Sequence, residues 1–379
     1  MNNTPSSDKT DGSHLEHTGS GPLNTNLGAG GQENYTISGG SHNQQIIATH
    51  VNIDSRHREI QKEIADWLSP SDPWTNHSTA RRQHEAGTGE WLLRSPQYKR
   101  WKSDVVSHSW LYGKPGCGKT VLCSTVIEDL RQQCRENTNI GLAVFYFSFT
   151  DEKKQNYDSL LRSLVAQLAS KEPASSALRQ AYEKPYRTIP TTEVLEQILN
   201  LSLEPYSRVF IAIDALDECP GAGNARKDVL DALERFITQT PKLRLFMTSR
   251  DLSDIRLMMQ DLEVQQIAAA TLAVDKDIRR YLCMQLQGDR RLARFKPDLK
   301  MEIERTISSK ADGMFRWAFL QLEELKKLKV LQPSFVRKAL NNMPLTLDDT
   351  YERILRSIEP DYQGHAMKLL RWLTYAKDL

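Results

Sequence analysis

Hydrophobic and polar positions change rhythm along this chain, and each change predicts a different kind of structure. Up to about residue 56 large apolar residues are scarce. Glycine clusters at Gly19–Gly21, Gly28–Gly31 and Gly39–Gly40 separate short Asn, Gln, Ile and Val patches, and Glu33 is the only formal charge between Gly19 and Ile53. Such text buries too little apolar surface to fold alone, so residues 1–56 are expected to be a disordered tail. The run "QQIIATHVNI" also combines high β-propensity, low charge and no proline, the features that let clustered copies stack as cross-β strands. From Ser55 the text turns charged, and Ile60, Ile64, Trp67 and Leu68 mark one face of a helix. "SPSDPWTNHS" is read as a break. A short helix, a turn at Gly87–Gly89 and a second helix follow, which makes residues 57–106 a helical linker.

After Ser107 the pattern alternates between short, wholly apolar runs and amphipathic stretches. "SWLY", "IGLAVFYFSF", "RVFIAID" and "KLRLFMTSR" have strand length, and "IGLAVFYFSF" is a continuous apolar run, as a strand covered on both sides requires. Between them "GKTVLCSTVIEDLRQQC", "NYDSLLRSLVAQLA", "TTEVLEQILNLSL" and "ARKDVLDALERFITQ" carry helical periodicity. This order predicts an α/β fold, a parallel sheet flanked by helices, over residues 107–255. Beyond Asp251 helical text dominates, with "EVQQIAA" the one strand-like stretch, and the chain stops at Leu379 just after an apolar helix, which suggests truncation.

Composition narrows the classes. A length of 379 residues with 39 % hydrophobic content accommodates two or three compact units. A net charge of +2 gives no overall pull toward nucleic acid or anionic lipid, and "GDRRLARFKPDLK" reads as a solvated basic face. Five scattered cysteines without metal spacing, no apolar leader and no long apolar run predict reduced thiols, no membrane span and a cytoplasmic location. The dispersed histidines His77, His84, His108 and His365 are expected at the surface or at caps. Trp110, Trp317 and Trp372 are expected in the core.

The chemistry concentrates at three strand ends. "WLYGKPGCGKT" holds Gly113, Lys114, Pro115, Gly116, Cys117, Gly118, Lys119 and Thr120 in P-loop spacing, with a strand before and a helix after. The glycines let main-chain N–H groups curl around phosphate oxygens, and the helix that follows adds the positive end of its dipole. Lys119 then reaches the β- and γ-phosphates, and Thr120 offers its hydroxyl to Mg²⁺. Such a site needs a carboxylate at the end of a neighbouring buried strand, and Asp214 in "VFIAIDALDEC" supplies it as a metal ligand, partly through water. Asp217 and Glu218 follow in the turn, one of them orienting the attacking water or accepting its proton. Arg250, at the end of "LRLFMTSR", is placed to touch the γ-phosphate. The cofactors expected are ATP or ADP with Mg²⁺.

Together with "WLSPSDPWTNHSTARRQHEAGTGEWLL", "ADGMFRWAFLQLEEL" and "MPLTLDDTYERIL", these motifs resemble the NACHT ATPase module of the STAND class. The likeness is to fungal NOD-like receptors and to the nephrocystin-type N-terminal domain. The resemblance implies a nucleotide-binding domain, a small helical domain (residues 256–310) and a winged-helix region (residues 311–379). It implies ADP at rest, exchange for ATP, slow hydrolysis and homo-oligomerisation. In its terms Lys119 is the Walker lysine, Thr120 the Mg²⁺ hydroxyl, Asp214 the Walker-B aspartate and Arg250 a sensor. The segment from Arg81 to Trp91 would lie near the base, and Pro344 would pack at the nucleotide. The N-terminal head resembles the amyloid signalling motifs of some fungal receptors, which template a separate cell-death effector protein. A P-loop motor or kinase-like enzyme without a signalling head is the alternative.

Overall fold

The computed structural model describes residues 60, 62–103, 107–184, 188–269 and 271–375. The tail up to residue 56, with its expected disorder and amyloid-type conversion, lies outside the described residues. Helical residues 62–68 lead into α1 (Trp74–Gln83), α2 (Glu90–Arg94) and α3 (Pro96–Lys102). Helix α1 begins inside the stretch read as a break. Asp72 explains this: its carboxylate accepts hydrogen bonds from the amides of Trp74 (2.9 Å) and Thr75 (3.2 Å), satisfying the donors that open a helix.

The central unit runs β1 (His108–Tyr112), α4 (Lys119–Glu136), β2 (Ile140–Tyr146), α5 (Tyr157–Leu168), α6 (Ala174–Tyr182), α7 (Thr192–Leu203) and β3 (Arg208–Asp214). It continues through α8 (Ala225–Gln239), β4 (Leu243–Ser249), α9 (Ser253–Asp261) and β5 (Gln265–Ala268). The strands form one parallel sheet in the order β2–β3–β4–β1–β5. Strand β5 pairs with β1, so the sheet reaches past the boundary expected at residue 255. Alternate residues of each strand serve opposite faces. Trp110, Ile211, Ile213, Leu245 and Met247 pack with α5 to α9 through Leu160, Leu195, Val229 and Ile255. Leu111, Phe210, Ala212 and Phe246 pack on the other face with Leu92, Trp101, Val126 and Leu130 of α2 to α4. Two covered faces leave no room for polar alternation, which is why the strands read as unbroken apolar runs.

From Thr271 on, the described residues are helical: α10 (Thr271–Gly288), α11 (Pro297–Ala311), α12 (Phe315–Lys326), α13 (Pro333–Asn341), α14 (Leu347–Arg356) and α15 (Pro360–Tyr375). Ile278, Leu282, Ile303, Trp317, Leu322 and Val336 share one core. That core spans residue 310, so the helices on either side of the expected boundary form a single bundle. Trp110 and Trp317 are fully buried, whereas Trp372 on α15 is 63 % exposed and anchors no core among the described residues. No described helix is long and apolar enough to cross a membrane.

Candidate nucleotide site

The parallel register brings the C-terminal ends of the strands to one edge of the sheet: Tyr112 lies level with Ser249 and Ala268, and Tyr146 with Asp214. The chain from Gly113 to Thr120 leaves β1 at this edge and enters α4. Gly116 (φ 72°) and Gly118 (φ 94°) adopt left-handed conformations that a side chain would strain. A Cβ added to Gly113 would sit 2.9 Å from Ala269 Cβ, and one added to Gly118 would enter open space. The loop is therefore packed hard at its root and open at its mouth, the form of an anion cradle. Lys119 folds back over it, its Nζ donating to the carbonyls of Gly113 (2.9 Å) and Lys114 (3.0 Å).

Asp214 stands behind this loop, 2 % exposed. Strand β4 separates β3 from β1, and its Thr248 supplies the link: Thr248 Oγ1 donates to Asp214 Oδ1 (2.6 Å) and accepts from the Ala215 amide (3.0 Å). Burial raises the Asp214 pKa, opposed by hydrogen bonds from Thr248 and Thr120 and by the charge of Lys119. Thr120, Lys119 and Asp214 thus converge. Cys123, on the first turns of α4, also bonds to Asp214, and burial raises its thiol pKa well above the ordinary value. A hydroxyl and a carboxylate side by side suit Mg²⁺, which binds few protein oxygens and keeps water and phosphate as its other ligands. The described residues hold no group of three or more His, Cys, Asp or Glu that makes a metal site unaided.

Ala215 takes a left-handed conformation (φ 55°) that turns the chain into the cavity, a local strain at a chemically loaded position. The turn separates the two acids that follow. Asp217 is held by Arg250: its Oδ1 accepts from the Arg250 amide (3.0 Å) and its Oδ2 lies 3.1 Å from Arg250 Nε. Glu218 has one weak hydrogen bond, from the Phe149 amide at 3.3 Å. Burial raises the Glu218 pKa, helped by repulsion from Asp217 and Asp214 and opposed by the Phe149 amide and Arg250. Sequence left these two acids equivalent, whereas the geometry gives one a fixed cation and leaves the other the freer base.

A cavity of about 500 Å³ opens in front of these groups. The loop from Pro115 to Thr120 and the acid turn form one wall. Gln83, His84, Glu85, Thr88 and Gly89 form a second, in the segment expected near the base. The helical bundle closes it with Val274, Asp277, Tyr281, Phe315, Arg316 and Phe319. Gly113 and Lys114 open the loop, and neither they nor Asp214 line the cavity. Pro344 does not line it either.

The walls are bonded to one another. Asp277 Oδ2 accepts from the Gly89 amide (2.8 Å) and the Trp91 indole (3.1 Å), and Arg280 Nε donates to the Ala86 carbonyl (3.0 Å). The Arg316 amide donates to the Gly116 carbonyl (2.9 Å), and Lys114 pairs with Asp312 (2.6 Å). Asp312 and Arg316 lie in the quoted stretch "ADGMFRWAFLQLEEL", but no local pattern marks the partners of these bundle residues, which lie far along the chain. Two histidines expected at the surface are buried. His77 sits between Tyr146 (3.0 Å) and Glu128 (2.7 Å), anchoring α1, and His108, inside the sheet, has its pKa lowered by burial to about 4.

A parallel sheet in this order, a glycine-rich loop at the tip of β1 and a buried acid at the tip of β3 define a P-loop NTPase domain. Residues 87–250 match the family described as nephrocystin 3, N-terminal, a span that runs through β4 and stops before β5. No curated protein matches the chain. Among solved structures it is similar to a Walker-type ATPase of Pyrococcus abyssi (14 % identity, TM-score 0.39, covering 73 % of this chain and 75 % of that one). It is also similar to the ORC1 protein of Aeropyrum pernix, solved in complex with DNA (13 %, 0.42, covering 72 % and 73 %). A third is Cdc6p from Pyrobaculum aerophilum (16 %, 0.40, covering 74 % and 71 %).

Proposed function

We propose that this chain is a nucleotide switch of the NACHT kind. It holds ADP or ATP with Mg²⁺ in the cavity, hydrolyses ATP slowly, and couples the nucleotide bound to the contact between sheet and helical bundle. The observation that carries this reading is the composition of the cavity. Its phosphate wall comes from the sheet and its opposite wall from a bundle with a separate core. In this reading a pocket walled by two separate cores changes shape as its contents change, the bundle shifting against the sheet.

In this reading Lys119 leaves the carbonyls of Gly113 and Lys114 for the β- and γ-phosphates. Thr120 and Asp214, the latter partly through water, would hold Mg²⁺, which would supply charge neutralisation at the phosphates. Glu218 accepts the proton of the attacking water, burial holding its carboxyl above the ordinary glutamate range. Asp217 positions Arg250 beside the terminal phosphate. The proposal extends to assembly: chains in the ATP form associate, and the head "QENYTISGGSHNQQIIATHVNI", brought to high local concentration, templates a downstream effector protein in cell-death signalling. Only the sequence of the head supports that last step. Calorimetric titration with ADP and ATP tests the core of the proposal. The wild type is expected to bind both, and Lys119→Ala to bind on the order of a hundredfold more weakly. Equal binding by both proteins contradicts it.

A further inference from the structure

Four basic side chains line the cavity, and they differ in how their charge is met. Lys119 is held by two carbonyls of its own loop. Arg250 is paired with Asp217. Arg82 donates to Thr79 on its own helix (3.2 Å). Arg316 has no carboxylate partner among the described residues, and its guanidinium lies over the Phe319 ring, 5.5 Å from the centroid.

Arg316 holds a position with two features that favour an anion beside it. It lies in the first turn of α12, a helix with no acid in that turn, so its charge adds to the positive end of the dipole. Its backbone is fixed against the phosphate loop: its amide donates to the Gly116 carbonyl (2.9 Å), and a Cβ on Gly116 would lie 3.0 Å from Arg316 Cβ. That anchoring holds the root of the Arg316 side chain against the phosphate loop, and the side chain lines the same cavity as Pro115 to Thr120. An unpaired cation, a helix N-terminus and a pinned approach to the cradle all favour an anion at the same place.

We propose that Arg316 is the residue through which the helical bundle binds the terminal phosphate of the nucleotide. Arg250 keeps its carboxylate on the sheet side. Arg316 supplies the charge that crosses between the units, so the hold of α12 on the loop depends on the number of phosphates present. This rests on the nucleotide reading above.

The test is calorimetric titration of the full chain with ADP and with a non-hydrolysable ATP analogue, for wild type, Arg316→Gln and Arg316→Lys. Melting temperatures without nucleotide are measured in parallel. Arg316→Gln is expected to bind the ATP analogue about tenfold or more weakly and ADP less than about threefold more weakly. Arg316→Lys should fall between, because a point charge replaces part of a planar fork. Melting without nucleotide should not change, since the side chain is exposed. Wild-type affinity of Arg316→Gln for both ligands overturns the inference while leaving the nucleotide reading intact. So does an equal loss for both ligands, which would place Arg316 away from the terminal phosphate. A wild-type chain that binds neither nucleotide overturns both.

Discussion

The two walls of the cavity are built on different principles. The sheet wall is made of main chain and held side chains: left-handed glycines, a lysine held by carbonyls, and Thr248, which is bonded at 2.6 Å to the buried Asp214 behind it. The bundle wall is made of side chains with more freedom, Arg316 among them, bonded to the first wall at a few points such as Asp277 with Gly89. Rigid, desolvated groups suit chemistry, whose geometry must not drift. Few and partly exposed bonds suit a contact that is made and broken. On the proposed nucleotide reading, the comparison teaches where to test for each kind of residue: chemistry at strand ends, coupling on the facing helices.

The comparison can be broken from the bundle side first. Trp317→Ala empties the centre of the bundle core and is expected to cost about 3–5 kcal/mol, seen as an earlier denaturant transition of the helical part. One cooperative transition that shifts as a whole would contradict separate cores. On the sheet side, Asp214→Asn is expected to lower single-turnover hydrolysis on the order of a hundredfold while leaving the melting temperature unchanged or higher. The sign follows from its raised pKa. The folded chain holds the proton more tightly than the unfolded one, so stability falls as pH rises from the unfolded pKa through the folded one, and a neutral isostere removes that loss. A large drop in melting temperature would show that Asp214 serves the fold instead.

Smaller effects sharpen the division. Hydrolysis should fall at acid pH with a limb above the ordinary glutamate value of 4.5, because Glu218 must be deprotonated to act and its pKa is raised by burial. In Glu218→Gln the residual rate should lose that limb, and an unchanged pH profile would move the base elsewhere. Gly87→Ala forces a side chain at φ 79° against the Arg280 guanidinium, 2.3 Å from the added Cβ, and should cost about 1–2 kcal/mol in thermal unfolding. Lys114→Ala removes the ion pair with Asp312, whose side chains are 57 % and 64 % exposed, and should change stability by less than about 1 kcal/mol, an effect that salt abolishes.

The sheet was legible in sequence because two-sided burial writes itself as apolar runs, and α8 was read at its observed bounds. Strand β5 was faint because a four-residue edge strand, buried at Ile267 alone, has no such run. Helices α6 and α9 were missed beside stronger neighbours. The phosphate loop, Asp214 and Arg250 were visible because each is a local motif at a strand end. Thr248 sits two residues before Arg250 at the same strand end, and only the sheet order, with β4 between β1 and β3, gives it the task of holding Asp214. Asp277 and Arg280 were silent, and Arg316 stood in a quoted motif without a role of its own, since their meaning lies in partners from Ala86 to Gly116. His77 looked like one more dispersed histidine until the fold placed it between Tyr146 and Glu128.

A crystal structure of the chain grown with Mg²⁺ and a non-hydrolysable ATP analogue tests the central claim most directly. The account predicts phosphate density against the main-chain amides from Gly116 to Thr120, with Lys119 turned from the carbonyls of Gly113 and Lys114 onto that density, and the metal beside Thr120 and Asp214. Nucleotide bound elsewhere, or a loop that stays closed on Lys119 with the analogue in excess, would contradict it.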